Sequence, residues 1–401
     1  MPSRHHTPRH ARRQRHGSRL ARGTALTAVA VLAFAGTGGA LAYQDIQGNI
    51  DTHDIDELLA DPEETGPTTA PPPIDPRAGE PINLLVLGSD TRTGDVNSQF
   101  GDGGDEGMRS DTTMVVHISA GRDRVEVVSI PRDMLVEIPS CRLPDGTTTR
   151  SQYDAMFNSA FSIGGQTDDL GAAAACTIRT VQDLSGVAID DFAVVDFAGF
   201  INVVDALGGV PMCIPEPMQD ERAELDLEAG QQVLNGRQAL AFARSRYVSG
   251  GSDIDRIGRQ QELVGAIARE ALSKNLFTDM PALYRFLDAA TSTVATGSQI
   301  GQIPTLAGLA YSLRGIDAEH ITFATMPFIP AGNRVRPAAE AQTLWAAMAA
   351  DQPIEATLTA TGDAPTEEPT AAVPGAPTTD APADPAAPAP APVETPTSIC
   401  G

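Results

Sequence analysis

The stretch "DTTMVVHISAGRDRVEVVSIPRD" (residues 111–133) holds two runs rich in β-branched and apolar residues, 112–119 and 124–130, around a Gly-Arg pair. Runs of that kind separated by a two-residue turn signal predict a β-hairpin with Gly121-Arg122 at its tip. If Ala120 faces Asp123, cross-strand partners have residue numbers that sum to 243, which sets Asp111 opposite Arg132. Upstream, "NLLVLGSD" (residues 83–90) is a short apolar run ended by Gly and Asp, as suits a buried strand. Laid antiparallel to 112–119, it carries Asp90 to the same edge. Two acids and an arginine are thus expected to converge at one end of a sheet.

Helical patterns follow the hairpin. In "DFAGFINVVDALGGVP" (residues 196–211), Phe197, Phe200, Ile201, Val204 and Leu207 recur at helical spacing, and Gly208, Gly209 and Pro211 supply the stop. The first expectation for that stripe is a core-facing helix. "LNGRQALAFARSR" (residues 234–246) reads as a helix running into a strand, on which Arg244 and Arg246 at period two share a face. Ser252, Asp253 or Asp255 then caps a helix carrying Arg256, Gln260, Val264, Ile267 and Ala271. Arg259 falls about 60° further from that apolar stripe than Arg256 on the ~100° per residue wheel, and its replacement is expected to leave lipid-free stability and diphosphate binding at the parent values.

The ends of the 401-residue chain differ from its middle. Residues 1–23 contain seven arginines and no acid, and residues 24–43 form an uncharged run of small and apolar residues. A run of about 20 residues behind a basic flank predicts an uncleaved membrane anchor with a cytoplasmic amino terminus, which exports the rest. Ala40-Leu41-Ala42 also fits a signal-peptidase pattern, so cleavage after Ala42 is the competing reading. Residues 44–81 read as an extracellular linker, 82–350 as the folded domain, and the Pro-, Ala- and Thr-rich residues 351–401 as a disordered tail. The net charge is −24; without the seven arginines of the head, the body carries −31, which repels nucleic acid. Cys141, Cys176, Cys213 and Cys400 fit no zinc spacing, and in an exported protein they predict disulfides. Three pairings are open; Cys141 with Cys176 makes the simplest local loop.

The chemistry lies with the arginines. "FARSRYVSGGSDIDRIGRQQ" (residues 242–261) has four of them, against the acidic balance of the body. Any one arginine is most simply a solvated surface residue. Arg244, Arg246 and Arg256 gathered beside an apolar stripe need an anion, and guanidinium groups together with a helix amino terminus suit a diphosphate. Asp90 and Asp111 next to it form the usual small protein share of a Mg²⁺ site. The histidines show no ligand spacing, and there is no P-loop, nucleophile elbow or dinucleotide fingerprint.

"LLVLGSDTR" (84–92), "RSDTTMV" (109–115), "SIPRDM" (129–134), "DALGGV" (205–210) and "ARSR" with "DIDRIGRQQ" (243–261), in that order, resemble the LytR-CpsA-Psr family. The resemblance covers about residues 82–271. It implies an α/β domain, a central mixed β-sheet flanked by helices with an apolar lipid-binding tunnel. It implies a membrane-anchored phosphotransferase that moves a glycopolymer from a polyprenyl-diphosphate carrier onto peptidoglycan outside the cell. By the same resemblance Asp90 and Asp111 are the Mg²⁺-linked acids. Arg132, Arg244, Arg246, Arg256 and Gln260 bind the diphosphate, Arg92 assists at the acceptor, and Phe197, Phe200 and Ile201 line the tunnel. The Arg-rich, Lys-poor composition points to an actinobacterium and so to arabinogalactan as the polymer. A diphosphate hydrolase and a non-catalytic lipid-phosphate binder are the alternatives, and a DNA-binding regulator fits the acidic exported body poorly. The 93–110 insertion is longer than a tight connection needs.

Overall fold

The hairpin forms, and a mixed sheet is built around it. The computed structural model describes residues 40–41, 43–59, 77–90, 97, 108–245, 253–274, 280–291, 294–354 and 400. Its strands are β1 (Asp51–His53), β2 (Ile82–Ser89), β3 (Ser110–Ile118), β4 (Val125–Ser129), β5 (Leu135–Ile138), β6 (Gln152–Met156), β7 (Asp191–Val195), β8 (Val210–Ile214), β9 (Met218–Asp220), β10 (Leu225–Leu227), β11 (Gly230–Leu234), β12 (Val294–Gly297), β13 (Ile321–Thr325), β14 (Phe328–Ala331) and β15 (Arg334–Pro337). Six helices matter to the site and its support: α1 (Leu170–Ser185), α2 (Phe197–Ala206), α3 (Gly236–Arg244), α4 (Asp253–Ser273), α5 (Met280–Thr291) and α6 (Glu340–Ala349).

Seven strands make the central sheet, in the order β1-β12-β7-β2-β3-β4-β13. Between β3 and β4 the pairs run from Met114↔Ser129 to Ile118↔Val125, the register expected from sequence. The tip is wider than the two-residue turn expected: Ser119 and Arg124 close the ladder, and Arg122 donates its N–H to Ser119 O at 3.0 Å. Ser119 Oγ accepts the N–H of both Asp123 and Arg124, so the longer loop is stapled symmetrically and the register is unchanged. β2 is antiparallel to β3 and parallel to β7, and β13 is parallel to β4. The carboxyl ends of β2, β4, β7 and β13 therefore meet the amino end of β3 at one edge, where open α/β sheets usually bind ligands.

One face of the sheet is sealed. Leu85, Leu87, Val115, Val128, Phe192 and Val194 lie in a buried cluster with residues of α1 and α6. α1 begins on an Asp169 side chain that accepts Ala172 N–H at 2.7 Å and ends at left-handed Gly186, φ 71°. Its alanine run lets Gly164 approach so closely that a Cβ there would sit 2.2 Å from Ala172 O. The Cys141–Cys176 disulfide ties α1 to the chain beyond β5, with Cα atoms 5.3 Å apart. The opposite face is half-covered: Leu84, Val86, Val116, Ala193, Val195 and Phe323 are only partly buried. α4 passes over it, with Gly265 beside the Phe323 ring. A second cluster gathers β8–β11 around α2, α3 and α4.

Two boundaries differ from the sequence reading. β1, within the segment read as linker, pairs with β12, and Ile46 and Ile55 are buried. Past residue 350, Asp351 and Ile354 are bound to the hairpin. The tail's Cys400 is joined to Cys213 in β8. Among the described residues no helix is long and apolar enough to cross a membrane, and most of the expected anchor, residues 24–43, lies outside them.

Candidate active site at the carboxyl edge of the sheet

Asp111 and Arg132 meet as the register predicts, Arg132 Nη1 donating to Asp111 Oδ1 at 2.9 Å. The reason is partly a β-bulge. Gly88 pairs with Thr112, but Ser89 pairs with Ser110, so Asp111 is the extra residue and its side chain is re-aimed at the edge. Gly88 permits the approach, since a Cβ there would come 3.1 Å from Thr112 Cβ. Asp90 follows at the end of β2. Its N–H donates to Arg109 O, and its Oδ1 accepts the Arg109 N–H, both at 3.0 Å.

Two helix ends close over this edge. α2 starts directly after β7 on Asp196, whose Oδ1 accepts Gly199 N–H at 2.7 Å. Asn97, from the 93–110 insertion, donates to Asp196 Oδ2 and accepts Ala198 N–H. α3 starts on an Asn235/Gln238 capping box and packs on α2, with Gly236 against the Ile201 carbonyl. It runs through Arg244, correcting the strand expected there: the box starts a helix that the Ala- and Leu-rich run sustains until Ser245 turns extended. Arg244 consequently lies over the Phe197 ring, 4.7 Å from its centroid. Arg246 and Arg92 lie outside the described residues.

α4 enters beside α3. Arg256 is buried at 3% exposure, and Gln260 Nε2 donates to Ala243 O at 3.4 Å. Arg259, set apart from the apolar stripe by the wheel and expected to be replaceable without effect, is 8% exposed and donates to Ser245 O at 2.6 Å. The last carbonyls of α3 need donors, and Gln260 and Arg259 supply them. Burial lowers the Arg259 pKa, opposed by Asp255 and Asp220. Gln261, which the sequence reading did not single out, donates to Ser129 Oγ at 2.9 Å and Ala324 O at 2.8 Å, fixing α4 to β4 and β13. Asn97 was missed too; its only sequence signal was membership of an unusually long insertion. Asp133, next to Arg132, has one buried carboxylate oxygen without a hydrogen-bond partner.

The donor set suits a hard divalent cation in one respect: Asp90 and Asp111 stand on neighbouring strand ends and offer carboxylate oxygens. Among the described residues no group of three or more His, Cys, Asp or Glu could hold a metal ion. Phe197 and Phe200 are half-buried and Ile201 is buried on α2, Phe200 packing against the second cluster.

Residues 43–350 match the model of the LytR_cpsA_psr family. The probable cell wall biosynthesis protein LcpB of Corynebacterium glutamicum is 34% identical over 261 residues, 63% of this chain and 56% of its own length. The polyisoprenyl-teichoic acid–peptidoglycan teichoic acid transferase TagU of Oceanobacillus iheyensis is 28% identical over 225 residues, covering 56% of this chain and 61% of its own. The chain thus spans little more than half the length of such relatives. In fold it is similar to a LytR-Csp2A-Psr enzyme from Actinomyces oris, with TM-score 0.51 at 21% identity over 75% of this chain and 96% of that one. With the family's model matched from residue 43, ahead of β1, to residue 350, just past α6, the chain belongs to the LytR-CpsA-Psr family.

Proposed function

We propose that the protein is a phosphotransferase that moves a glycopolymer from a polyprenyl-diphosphate carrier onto peptidoglycan, with arabinogalactan as the polymer. One observation carries the reading: a guanidinium-rich edge, Arg132, Arg244 and Arg256 with Gln260, adjoins a sheet face whose apolar side chains are only half covered. A lipid diphosphate has that division, an anionic head on an apolar chain. The name of the Oceanobacillus relative, a polyisoprenyl-teichoic acid–peptidoglycan teichoic acid transferase, supports the direction of transfer, and that of the Corynebacterium relative supports a part in cell wall biosynthesis.

In this reading Arg132, Arg244, Arg246 and Arg256 bind and orient the diphosphate, with Gln260 beside them and Arg92 towards the acceptor. Asp90 and Asp111 would hold Mg²⁺, which when bound supplies charge neutralisation at the phosphates. The acceptor hydroxyl oxygen bonds to the sugar-linked phosphorus, the bond from that phosphorus to the bridging oxygen breaks, and polyprenyl phosphate leaves; the hydroxyl proton passes to solvent. Catalysis is then positioning and electrostatics. Phe197, Phe200 and Ile201, with the half-covered face, line the lipid path. The basic head and uncharged run anchor the chain in the cytoplasmic membrane with the domain outside, where both disulfides persist. The acidic body leaves nucleic acid no role.

Incubating the protein with a lipid-linked glycan, with and without peptidoglycan, tests the proposal. Glycan joined to peptidoglycan through a phosphodiester is expected. Release of the glycan phosphate to water alone identifies a hydrolase, and tight binding without turnover identifies a carrier.

A further inference from the structure

Beyond Arg132 the chain builds a small ribbon that the donor site does not use. β5 pairs with β6, β14 with β15, and a parallel bridge between Met134 and Val335 joins the two hairpins in the order β6-β5-β15-β14. Met134, Val136 and Ile138 point into the main core, with Val335 and Phe328 packed against it. The other face is turned to solvent. Arg336 faces Ile329 across the hairpin and reaches over to Asp154, Nη2 to Oδ1 2.5 Å, with both partners about half exposed. Tyr153 is 72% exposed and Ile329 52%. Asp154 is held left-handed at φ 56°, a conformation that Asp tolerates better than most side chains.

The ribbon is continuous with the catalytic edge. Asn158 donates its N–H to Arg132 O at 3.0 Å and Phe157 to Met134 O at 2.8 Å. Tyr153 stands five residues from Asn158, at most about 16 Å by chain length, and the left-handed Asp154 with the register shift opposite Val136 and Ile138 shortens the path. A glycan strand of a few sugars covers that reach.

We propose that this outer face is where the acceptor glycan strand docks, Tyr153 stacking on a sugar ring and the Asp154–Arg336 pair reading its hydroxyl and amide groups. The proposal rests on the transferase reading. An exposed tyrosine offers a broad amphipathic platform with few rotamers to freeze. A preformed carboxylate–guanidinium pair offers acceptors and donors side by side, as a polyhydroxylated, N-acetylated polymer requires. Charge agrees: in a chain of net charge −24, Arg334 and Arg336 on β15 balance Glu137 on β5 and Asp154 on β6, so acidic stem peptides meet no net repulsion from these strands.

The full chain, Tyr153→Ala, Tyr153→Trp and Arg336→Ala are compared in transfer to long glycan strands and to a disaccharide fragment, and in co-sedimentation with glycan sacculi. Tyr153→Ala is expected to raise KM for long strands about tenfold, to leave kcat, disaccharide transfer and donor binding unchanged, and to lose sacculus retention; Tyr153→Trp restores both. If Tyr153→Ala and Arg336→Ala match the parent with long strands, the docking surface is overturned. Self-association that depends on Tyr153, without retention on glycan, overturns it equally. A parent retained through Tyr153 that never transfers leaves the surface standing and removes the transferase reading.

Discussion

Arg259 shows how one residue's surroundings reverse what its position on a wheel suggests, whereas Asp111 stands where its ladder position puts it. Arg259 caps the carboxyl end of α3 from a buried site, so Arg259→Ala leaves Ser245 O without its charged donor. Loss of such a bond costs about 2 kcal/mol, and chemical denaturation is expected to show that loss in the lipid-free protein. A variant as stable as the parent would return Arg259 to the surface. Asp111 behaves the opposite way. Its bond with Arg132 joins two part-exposed side chains, 34% and 23%, a pairing worth under about 1 kcal/mol. Asp111→Ala is therefore expected to melt within a few degrees of the parent yet to lose Mg²⁺-stimulated transfer. Full transfer at limiting Mg²⁺ would remove Asp111 from the site.

At the scale of elements, the Cys141–Cys176 bridge pins α1, the core helix behind the sealed face, across a sequence separation of 35. Closing a loop of that length stabilises the fold by about 4 kcal/mol in the chain-entropy account, so the Cys141→Ala/Cys176→Ala protein is expected to unfold at correspondingly lower denaturant. An unchanged midpoint would show that α1 packing alone suffices. The hairpin register was legible because a period of two and a turn fix every partner once the tip is centred, and a wider tip kept the same centre. The bulge at Asp111 was not, since it arises where Gly88 lets Thr112 crowd in, a contact between strands. Arg244 was misplaced because "AFARSR" alternates like a strand, while the capping box that makes it helical lies nine residues upstream at Asn235. Arg256 and Arg259 were separable on a wheel, but α4 is buried there on two sides, by the sheet edge and by α3. β1 is three polar residues, DTH, whose strand state is imposed by β12.

Across the whole molecule the sheet separates two polar ends. The candidate site occupies the edge at Asp90, Asp111 and Arg132; the other end binds the close of the domain to the hairpin. There Asp351 accepts from His117 Nε2 at 3.1 Å, from Arg124 Nη2, and from Ala120 N–H at 3.2 Å. His117 is fully buried, with Nδ1 on Asn83 Oδ1, while Ile354 N–H donates to buried Glu126 at 2.9 Å. Removing the Asp351 carboxylate leaves a buried imidazole nitrogen and a guanidinium short of their acceptor, which costs about 2 kcal/mol or more. The ends of β3 lie about 25 Å apart at 3.3 Å per residue, and the strand between them is packed on its sealed face. Asp351→Ala is thus expected to lower the melting temperature by several degrees while the transfer rate per folded molecule, measured well below the melt, stays at the parent value. A rate that falls in a fully folded variant would mean that the hairpin carries displacement from one end to the other, and that the fixed Asp111–Arg132 register is held in part by the clasp at Asp351.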